Sequence, residues 1–176
     1  MEWVFDGGRP CVDFVNTLRD RHLGGRELLV TPSALGEWLR LAALPARRVT
    51  AADLAAAKDL REAIDRLTRG GARARDVRLL NAAAKAAPTP QLRFENGVPA
   101  RRTRPIAPPV PTALAALAVD AIDLITSGGE VRICAWDHCG LRFADTSPKR
   151  NRQWCSMSRC GNRAKARAHY ARRAVR

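Results

Sequence analysis

Two cysteine pairs near the end of the sequence constrain the fold of this chain more than any other feature. Cys134 and Cys139 form the first pair and Cys155 and Cys160 the second; each pair encloses four residues, and fifteen residues separate the pairs. Four thiolates at this spacing can close a tetrahedron around one Zn²⁺ ion. Because the segment has little apolar content, it needs a metal to fold. The spacing therefore predicts a single structural zinc site with four cysteine ligands.

Two alternative roles for the cysteines stay open at this point. Cysteines are often simply buried as small hydrophobic residues, and two disulfides would form in an oxidising compartment. The N-terminus, however, lacks the basic region and apolar run of a secretory signal. The most apolar window, Ile106 to Ile125, is interrupted by three prolines and two aspartates, so we expect no membrane span and no membrane partner. A cytoplasmic protein is expected, in which reduced thiols favour zinc.

Positive charge is concentrated in the cysteine segment. The net charge is +14, of which +9 lies in residues 129–176 and +5 in residues 1–128. A small zinc module with a basic helix predicts a polyanionic partner, bound through phosphate groups in a salt-dependent way. We expect that partner to be duplex DNA.

Residues 1–128 are predicted to form a mainly helical domain. Apolar residues recur at helical spacing in five segments bounded by capping residues, prolines or glycines. These helices are expected to begin near Pro10, Thr31, Thr50, Asp76 and Thr112. In the fourth helix Val77 and Leu80 are expected to face inward, and the fifth is apolar nearly all round, as in the centre of a core.

The remaining N-terminal features are short. Residues 1–6 alternate weakly, as in a strand, and Asn96-Gly97 between alternating runs predicts a β-hairpin. Cys11 falls on the apolar face of the first helix, so it is expected to be a buried core thiol and not a ligand. Asn16 and Thr17 are expected in a polar role at the end of that helix.

The cysteine segment is predicted to be a treble-clef zinc finger. Val131–Ile133 and Gly140–Ala144 indicate strands around the first cysteine pair, and the second pair falls at the start of a helix over Ser158–Arg173. An alanine face, Ala164, Ala168 and Ala171, is expected to pack on the zinc core. The fold class is therefore α+β and mainly α. A helical domain with a small β-hairpin (1–128) is followed by the zinc finger (129–176).

Basic side chains of this finger are the candidate contacts with DNA. They are Lys149, Arg150, Arg152, Arg159, Arg163, Lys165, Arg167, Arg172 and Arg173. Those on the loop before Trp154 suit phosphate groups, and Arg163 and Arg167, one turn apart, suit phosphates or a guanine edge. For any single arginine, a solvated surface position is an equal alternative.

The finger motif resembles a known family. Cys160-Gly161-Asn162-Arg163, together with Asp145-Thr-Ser147 and Trp154-Cys155, is similar to the CGNR zinc finger. Cys11-Val-Asp13-Phe14-Val-Asn16-Thr17 is similar to the ABATE domain that accompanies this finger. The resemblance implies a bacterial stress-induced transcription regulator with a zinc-binding, DNA-binding finger whose ligands are the four cysteines above. At position 153 the family commonly has an arginine, so Gln153 implies one phosphate contact fewer.

Three classes of function are compatible with the sequence. The first is a regulator whose N-terminal domain senses a small-molecule effector, mediates assembly as a homodimer, or both. The second is a nuclease of the His-Asn-His type, for which His138, Asn162 and His169 invite comparison. The third is an RNA or protein adaptor, although the finger offers few aromatic side chains for stacking. No catalytic motif is apparent elsewhere, so we expect no enzyme.

Overall fold

The chain is mainly helical, with short two-stranded antiparallel sheets between the helices. The computed structural model describes residues 3–71, 73–101 and 108–174. In chain order the helices and strands are α1 (Pro10–Val15), β1 (Leu18–Arg19), β2 (Arg26–Glu27), α2 (Pro32–Leu41), α3 (Ala51–Thr68), α4 (Ala74–Ala84), β3 (Leu92–Glu95), β4 (Val98–Arg101), α5 (Val110–Thr126), β5 (Val131–Ile133), β6 (Arg142–Ala144) and α6 (Asn162–Ala174). The predicted α+β, mainly α fold class is confirmed, whereas the treble-clef topology stays a prediction.

Local sequence signals set the starts of α2 and α3. Thr31 Oγ1 accepts a hydrogen bond of 3.1 Å from the Ala34 N–H, and Pro32 occupies the first helical position. Thr50 and Asp53 form a reciprocal capping box at the start of α3. Each such cap stabilises a helix by about 1 kcal/mol. Both predicted helix starts are confirmed.

Helix α5 lies against α1, α3 and α4 in the helical core. Its buried face combines larger side chains, Val110, Leu114, Leu117 and Leu124, with four alanines that allow neighbouring helices to approach closely. Cys11 is completely buried in the same core, as predicted. Val119 and Ile125 are exposed, so α5 is not enclosed on all sides. Among the described helices, none has the length and apolar character needed to cross a bilayer.

The weak strand expected at residues 1–6 is wrong for the described part, residues 3–6. Trp3 packs on the helical core, Val4 packs among the zinc-site cysteines, and Phe5 stacks on Trp38 at a centroid distance of 6.0 Å. The alternation therefore reflects packing on two sides of an extended segment that has no strand partner among the described residues.

Helix α4 agrees with its prediction at Leu80, which is buried, and differs from it at Val77. It begins at Ala74, and the buried Asp76 carboxylate accepts hydrogen bonds of 2.6 and 2.8 Å from Arg66 of α3. Successive helical positions point about 100° apart, so the inward position of Asp76 turns Val77 outward. Val77 is exposed, and its predicted inward orientation is wrong.

The predicted hairpin is confirmed by strands β3 and β4. Glu95 pairs with Val98 across a two-residue loop in which Asn96 and Gly97 have φ of 51° and 78°. Two consecutive positive φ angles are those of a type I′ turn, which asparagine and glycine favour.

Strand β6 connects the helical core to the cysteine segment. Its side chains alternate, so Phe143 lies among the cysteines and Ala144 in the helical core. The Ala144 N–H donates to the Gly7 carbonyl at 2.8 Å. Asn16, directly after α1, donates to the Arg142 carbonyl at 2.8 Å and accepts from the Arg142 N–H at 2.9 Å. The Asn16 amide therefore takes the place of a neighbouring strand.

Candidate metal centre

The four predicted cysteine ligands converge on one point. Their sulfur atoms all lie within 4.8 Å of one another, and the cysteines are between 1% and 6% exposed. Cys155 Sγ lies 3.7 Å from Cys139 Sγ and 3.7 Å from Cys160 Sγ. A tetrahedral zinc site with Zn–S bonds of about 2.3 Å places sulfurs about 3.8 Å apart. The donor set and its spacing fit one Zn²⁺ ion, and the five cysteines are free thiols.

The first pair lies on a knuckle between β5 and β6. The Cys134 N–H donates to the Leu141 carbonyl at 2.8 Å, and the Cys139 N–H donates to the Trp136 carbonyl at 2.9 Å. The strands pair Arg132 with Phe143. Gly140 has a φ of 62°, which allows the chain to turn tightly after Cys139. The predicted strands and their turn are confirmed.

The second pair is held by a π-helical turn, Met157–Gly161, directly before α6. Cys155 lies just before this turn and Cys160 within it. The Gly161 N–H donates to the Ser156 carbonyl, five residues earlier, at 3.0 Å. A methyl group on Gly161 would lie 2.5 Å from Met157 Sδ. Glycine at this position therefore allows the tight packing that brings Cys160 to the cluster.

Charge in the metal-free cluster is concentrated on Cys139. A hydrogen bond from the Cys155 thiol lowers the pKa of Cys139 to about 5, with a contribution from the Leu141 N–H. The same hydrogen bond raises the pKa of Cys155, and burial raises the pKa of Cys160 to about 12. The lowered pKa favours a thiolate at Cys139 before metal binds, whereas Cys155 and Cys160 lose their protons when a cation compensates the charge.

Asp145 organises the loop between the two pairs. Its carboxylate accepts hydrogen bonds from Ser147 Oγ at 2.6 Å, the Ser147 N–H at 3.0 Å and the Arg152 N–H at 2.9 Å. The Ser147 hydroxyl, followed by these N–H groups, lowers the pKa of Asp145 to about 2. The sequence reasoning assigned Asp145 no role, although Asp-x-Ser is a turn pattern that signals such bonding.

Comparison with family models agrees with this geometry. Residues 8–128 match the ABATE model, described as "Putative stress-induced transcription regulator". The chain belongs to the ABATE family. Residues 130–173 match the CGNR zinc finger, which confirms both resemblances seen in the sequence. A search of curated proteins finds no match.

The four letters of the CGNR motif have different roles in this ABATE protein. Cys160 is a zinc ligand and Gly161 permits close packing on Met157. Asn162 and Arg163 are exposed at the start of α6. Neither His138 nor His169 belongs to the metal-binding group.

The candidate DNA contacts of the CGNR finger fall into two groups. Seven are exposed: Lys149, Arg150, Arg163, Lys165, Arg167, Arg172 and Arg173. The other two are half-buried and bonded within the protein. Arg152 lies 4.9 Å from the Phe143 ring centroid and donates to the Trp154 and Cys155 carbonyls. Arg159 forms a 3.0 Å ion pair with Asp6.

Helix α6 extends from the zinc core into solvent. Ala164 is half-buried, but Ala168 and Ala171 are exposed, so the expected packing of the whole alanine face is wrong. With 13 residues, α6 is about 20 Å long at 1.5 Å per residue, and only its first turn meets the small cysteine core. Within the described part of the helix, Arg167 reaches back, to Asp137 at 2.8 Å and over the Trp136 ring at 5.9 Å.

Proposed function

We propose that this ABATE protein is a transcription regulator that binds duplex DNA through α6 of its CGNR finger. The observation that carries the proposal is the exposure of α6, which has five basic side chains along the projecting helix and no acidic residue. The residues are Arg163, Lys165, Arg167, Arg172 and Arg173. Such a helix attracts phosphate groups over its whole circumference.

The dimensions of α6 support insertion into the major groove. An α-helix with its side chains is about 10–12 Å wide, close to the width of about 12 Å of the major groove. Arg163 and Arg167 lie on one face, one turn apart. The Arg167–Asp137 ion pair is exposed, and such pairs contribute at most about 1 kcal/mol. Exchanging Asp137 for a DNA phosphate therefore costs little.

A duplex is favoured over single-stranded nucleic acid by the placement of aromatic side chains. Phe143 is buried in the zinc core, and Trp136 and Trp154 are packed against it. Tyr170 is the exposed aromatic residue of the described finger segment, 130–174. Single-strand readers usually present several stacking platforms. A basic helix with Tyr170 as its exposed large aromatic side chain corresponds better to groove and phosphate contacts.

In this proposal the two parts of the chain have separate roles. The finger, residues 129–176, contacts DNA, and the helical domain, residues 1–128, senses a small-molecule effector, mediates assembly as a homodimer, or both. A cytoplasmic location follows from the same role.

Selection of the zinc-loaded protein on random duplex DNA at near-physiological salt tests the proposal. We expect an enriched motif that is lost in Cys155→Ser. Arg163→Gln should weaken binding about tenfold and lower the salt slope by about 1. Arg78→Gln, which removes an exposed arginine of α4, is the matched control and should do neither.

Two outcomes would overturn DNA recognition by the finger. In the first, duplex DNA is retained without any enriched motif, and Arg163→Gln and Arg78→Gln reduce that retention equally. This result would indicate general charge attraction. The other is displacement of the duplex by structured RNA at lower concentration than by unlabelled duplex, which indicates an RNA partner.

A further inference from the structure

A cleft of about 460 Å³ opens where the CGNR finger meets the helical domain. One wall comes from the helical domain and contains Arg21, His22 and Arg69. The other comes from the finger and contains Ile133, Trp136 and Arg142. Sites for small organic molecules typically have volumes of about 300–1,000 Å³. The cleft therefore has the size of such a site and is built from both parts of the chain.

Three guanidinium groups in this cleft share one nearby carboxylate. Asp65 lies 2.5 Å from Arg142 Nε, 3.7 Å from Arg21 Nη1 and 3.8 Å from Arg69 Nη1. Arg21 is also paired with Glu62 at 2.7 Å. Within the described residues the Arg69 side chain makes no hydrogen bond, and it is 49% exposed. Arg69 is therefore an available donor at the edge of the cleft.

Asp65 and Glu62, which lie outside the cleft lining, supply two carboxylates against the three guanidinium groups. The acidic lining residue, Asp137, is already paired with Arg167. Burial lowers the pKa of Arg142, the Asp65 carboxylate opposes that shift, and the positive charges of Arg21 and Arg69 add to it. An anion in the cleft would reduce the repulsion among these three arginines.

The opposite wall offers an apolar surface. Ile133 is exposed and Trp136 is half-buried, so a ring or alkyl group can lie against Ile133 and against the part of the Trp136 ring that Arg167 leaves uncovered. A planar aromatic group suits a tryptophan face. The cleft thus combines anion-binding groups on one side with an apolar surface on the other.

We propose that this cleft binds a small organic anion. Its carboxylate or phosphate group lies against Arg69 and Arg142, and its ring or alkyl group packs on Trp136. Because the ligand contacts both walls, it stabilises the finger in its position on the helical domain. The cleft would then be the effector site of the proposed regulator. An effect of the anion on transcription rests on the proposed function, whereas binding of the anion to the cleft does not, because it does not require DNA.

Calorimetric titration of the zinc-loaded full chain, in the absence of DNA, tests the site with phenyl phosphate, benzoate and inorganic phosphate as probes. We expect saturable binding that is tightest for phenyl phosphate, accompanied by a change in tryptophan fluorescence. Arg69→Gln should weaken phenyl phosphate binding at least about tenfold, because it removes one charge-assisted hydrogen bond. Trp136→Phe should remove most of the fluorescence change. Arg78→Gln is the control that removes the same charge elsewhere and should leave binding intact.

The proposal is overturned if none of the probes saturates at millimolar concentration, or if Arg78→Gln weakens binding as much as Arg69→Gln. It is also overturned if Arg69→Gln weakens duplex DNA binding but leaves phenyl phosphate unaffected, because the cleft then receives a DNA phosphate. Anion binding without sequence-selective DNA binding would support the cleft and contradict the proposed function. The two failures are therefore distinguishable.

Discussion

At the scale of single residues, Cys139 determines how zinc binding should depend on pH. Because the pKa of Cys139 is lowered to about 5, this residue is already ionised at neutral pH. The raised pKa values of Cys155 and Cys160 mean that these thiols are protonated until metal binds. Zinc affinity should therefore fall as pH falls, about tenfold per pH unit for each proton released.

Titration of zinc into the metal-free protein in two buffers of different ionisation enthalpy measures this proton release. We expect more than one proton and fewer than four, since Cys139 contributes none above its lowered pKa. Equal heats in the two buffers would show that the thiolates form before the metal arrives and would contradict this account.

Asp145 should affect zinc affinity without being a ligand, so its contribution can be tested with all four cysteines in place. Its charged carboxylate accepts the hydrogen bonds of Ser147 and Arg152, and Arg152 in turn donates to the Cys155 carbonyl. Asp145→Asn removes the charge and offers an N–H₂ group where only acceptors fit. Zinc affinity should fall about tenfold, as for other groups that support metal ligands.

Competition with a chromophoric chelator measures the effect of Asp145→Asn. Asp123→Asn removes an exposed carboxylate of α5 and serves as the control with unchanged affinity. Equal zinc retention in both variants would mean that the loop between the pairs is held without Asp145.

At the scale of elements, boundaries were predictable where the signal is local. Thr31, Thr50 and Asp53 form their capping bonds within three residues, and the Asn96-Gly97 turn is equally local. The two cysteines of each pair are five positions apart. The outward position of Val77 in α4 was not predictable, because it follows from the inward Asp76, which pairs with Arg66 of another helix. The predicted packing of the alanine face of α6 was wrong for a related reason. Periodicity shows which residues share a face, but not how far the surface that they pack against extends.

Helix α6 should therefore contribute to DNA binding without contributing to folding stability beyond its first turn. Deletion of residues 168–176 removes the exposed helical residues 168–173, including Arg172 and Arg173, and leaves Ala164 in place. We expect the melting temperature to change by no more than about 2 °C. The salt slope of DNA binding should fall by about 2, one unit for each phosphate group that is no longer bound.

The double substitution Arg172→Gln and Arg173→Gln is the control for helix length. It should reproduce the lower salt slope while keeping α6 intact by circular dichroism. A large drop in melting temperature on deletion would show that the projecting turns pack on the protein, contrary to their exposure.

At the scale of the whole molecule, the finger and the helical domain share buried polar contacts. Asn16 and Arg142 are 126 positions apart in sequence, and Arg142 and Asp65 are 77 apart. Sequence patterns revealed each part separately, since amphipathic spacing and cysteine spacing are properties of short segments. The contacts between the parts were not predictable because no local pattern distinguishes Arg142, which is buried here, from the exposed arginines of α6.

The Asp65–Arg142 ion pair should decide whether the finger stays against the helical domain. Both side chains are buried, with 9% and 7% exposed, and their atoms lie 2.5 Å apart. Removing one partner of a buried pair costs about 3–5 kcal/mol, because the other charge is left unpaired. Asp65→Asn should therefore lower the melting temperature and accelerate amide exchange in β5 and β6 while zinc stays bound.

Asp59→Asn, on the exposed side of α3, should change neither. Combining Asp65→Leu with Arg142→Met should recover much of the lost stability, because neither position then holds a buried charge, Arg21 keeps its pair with Glu62, and Arg69 is half exposed to solvent. If exchange in β5 and β6 stays slow in Asp65→Asn, the finger is held by its apolar contacts and by Asn16, and the ion pair does not control docking.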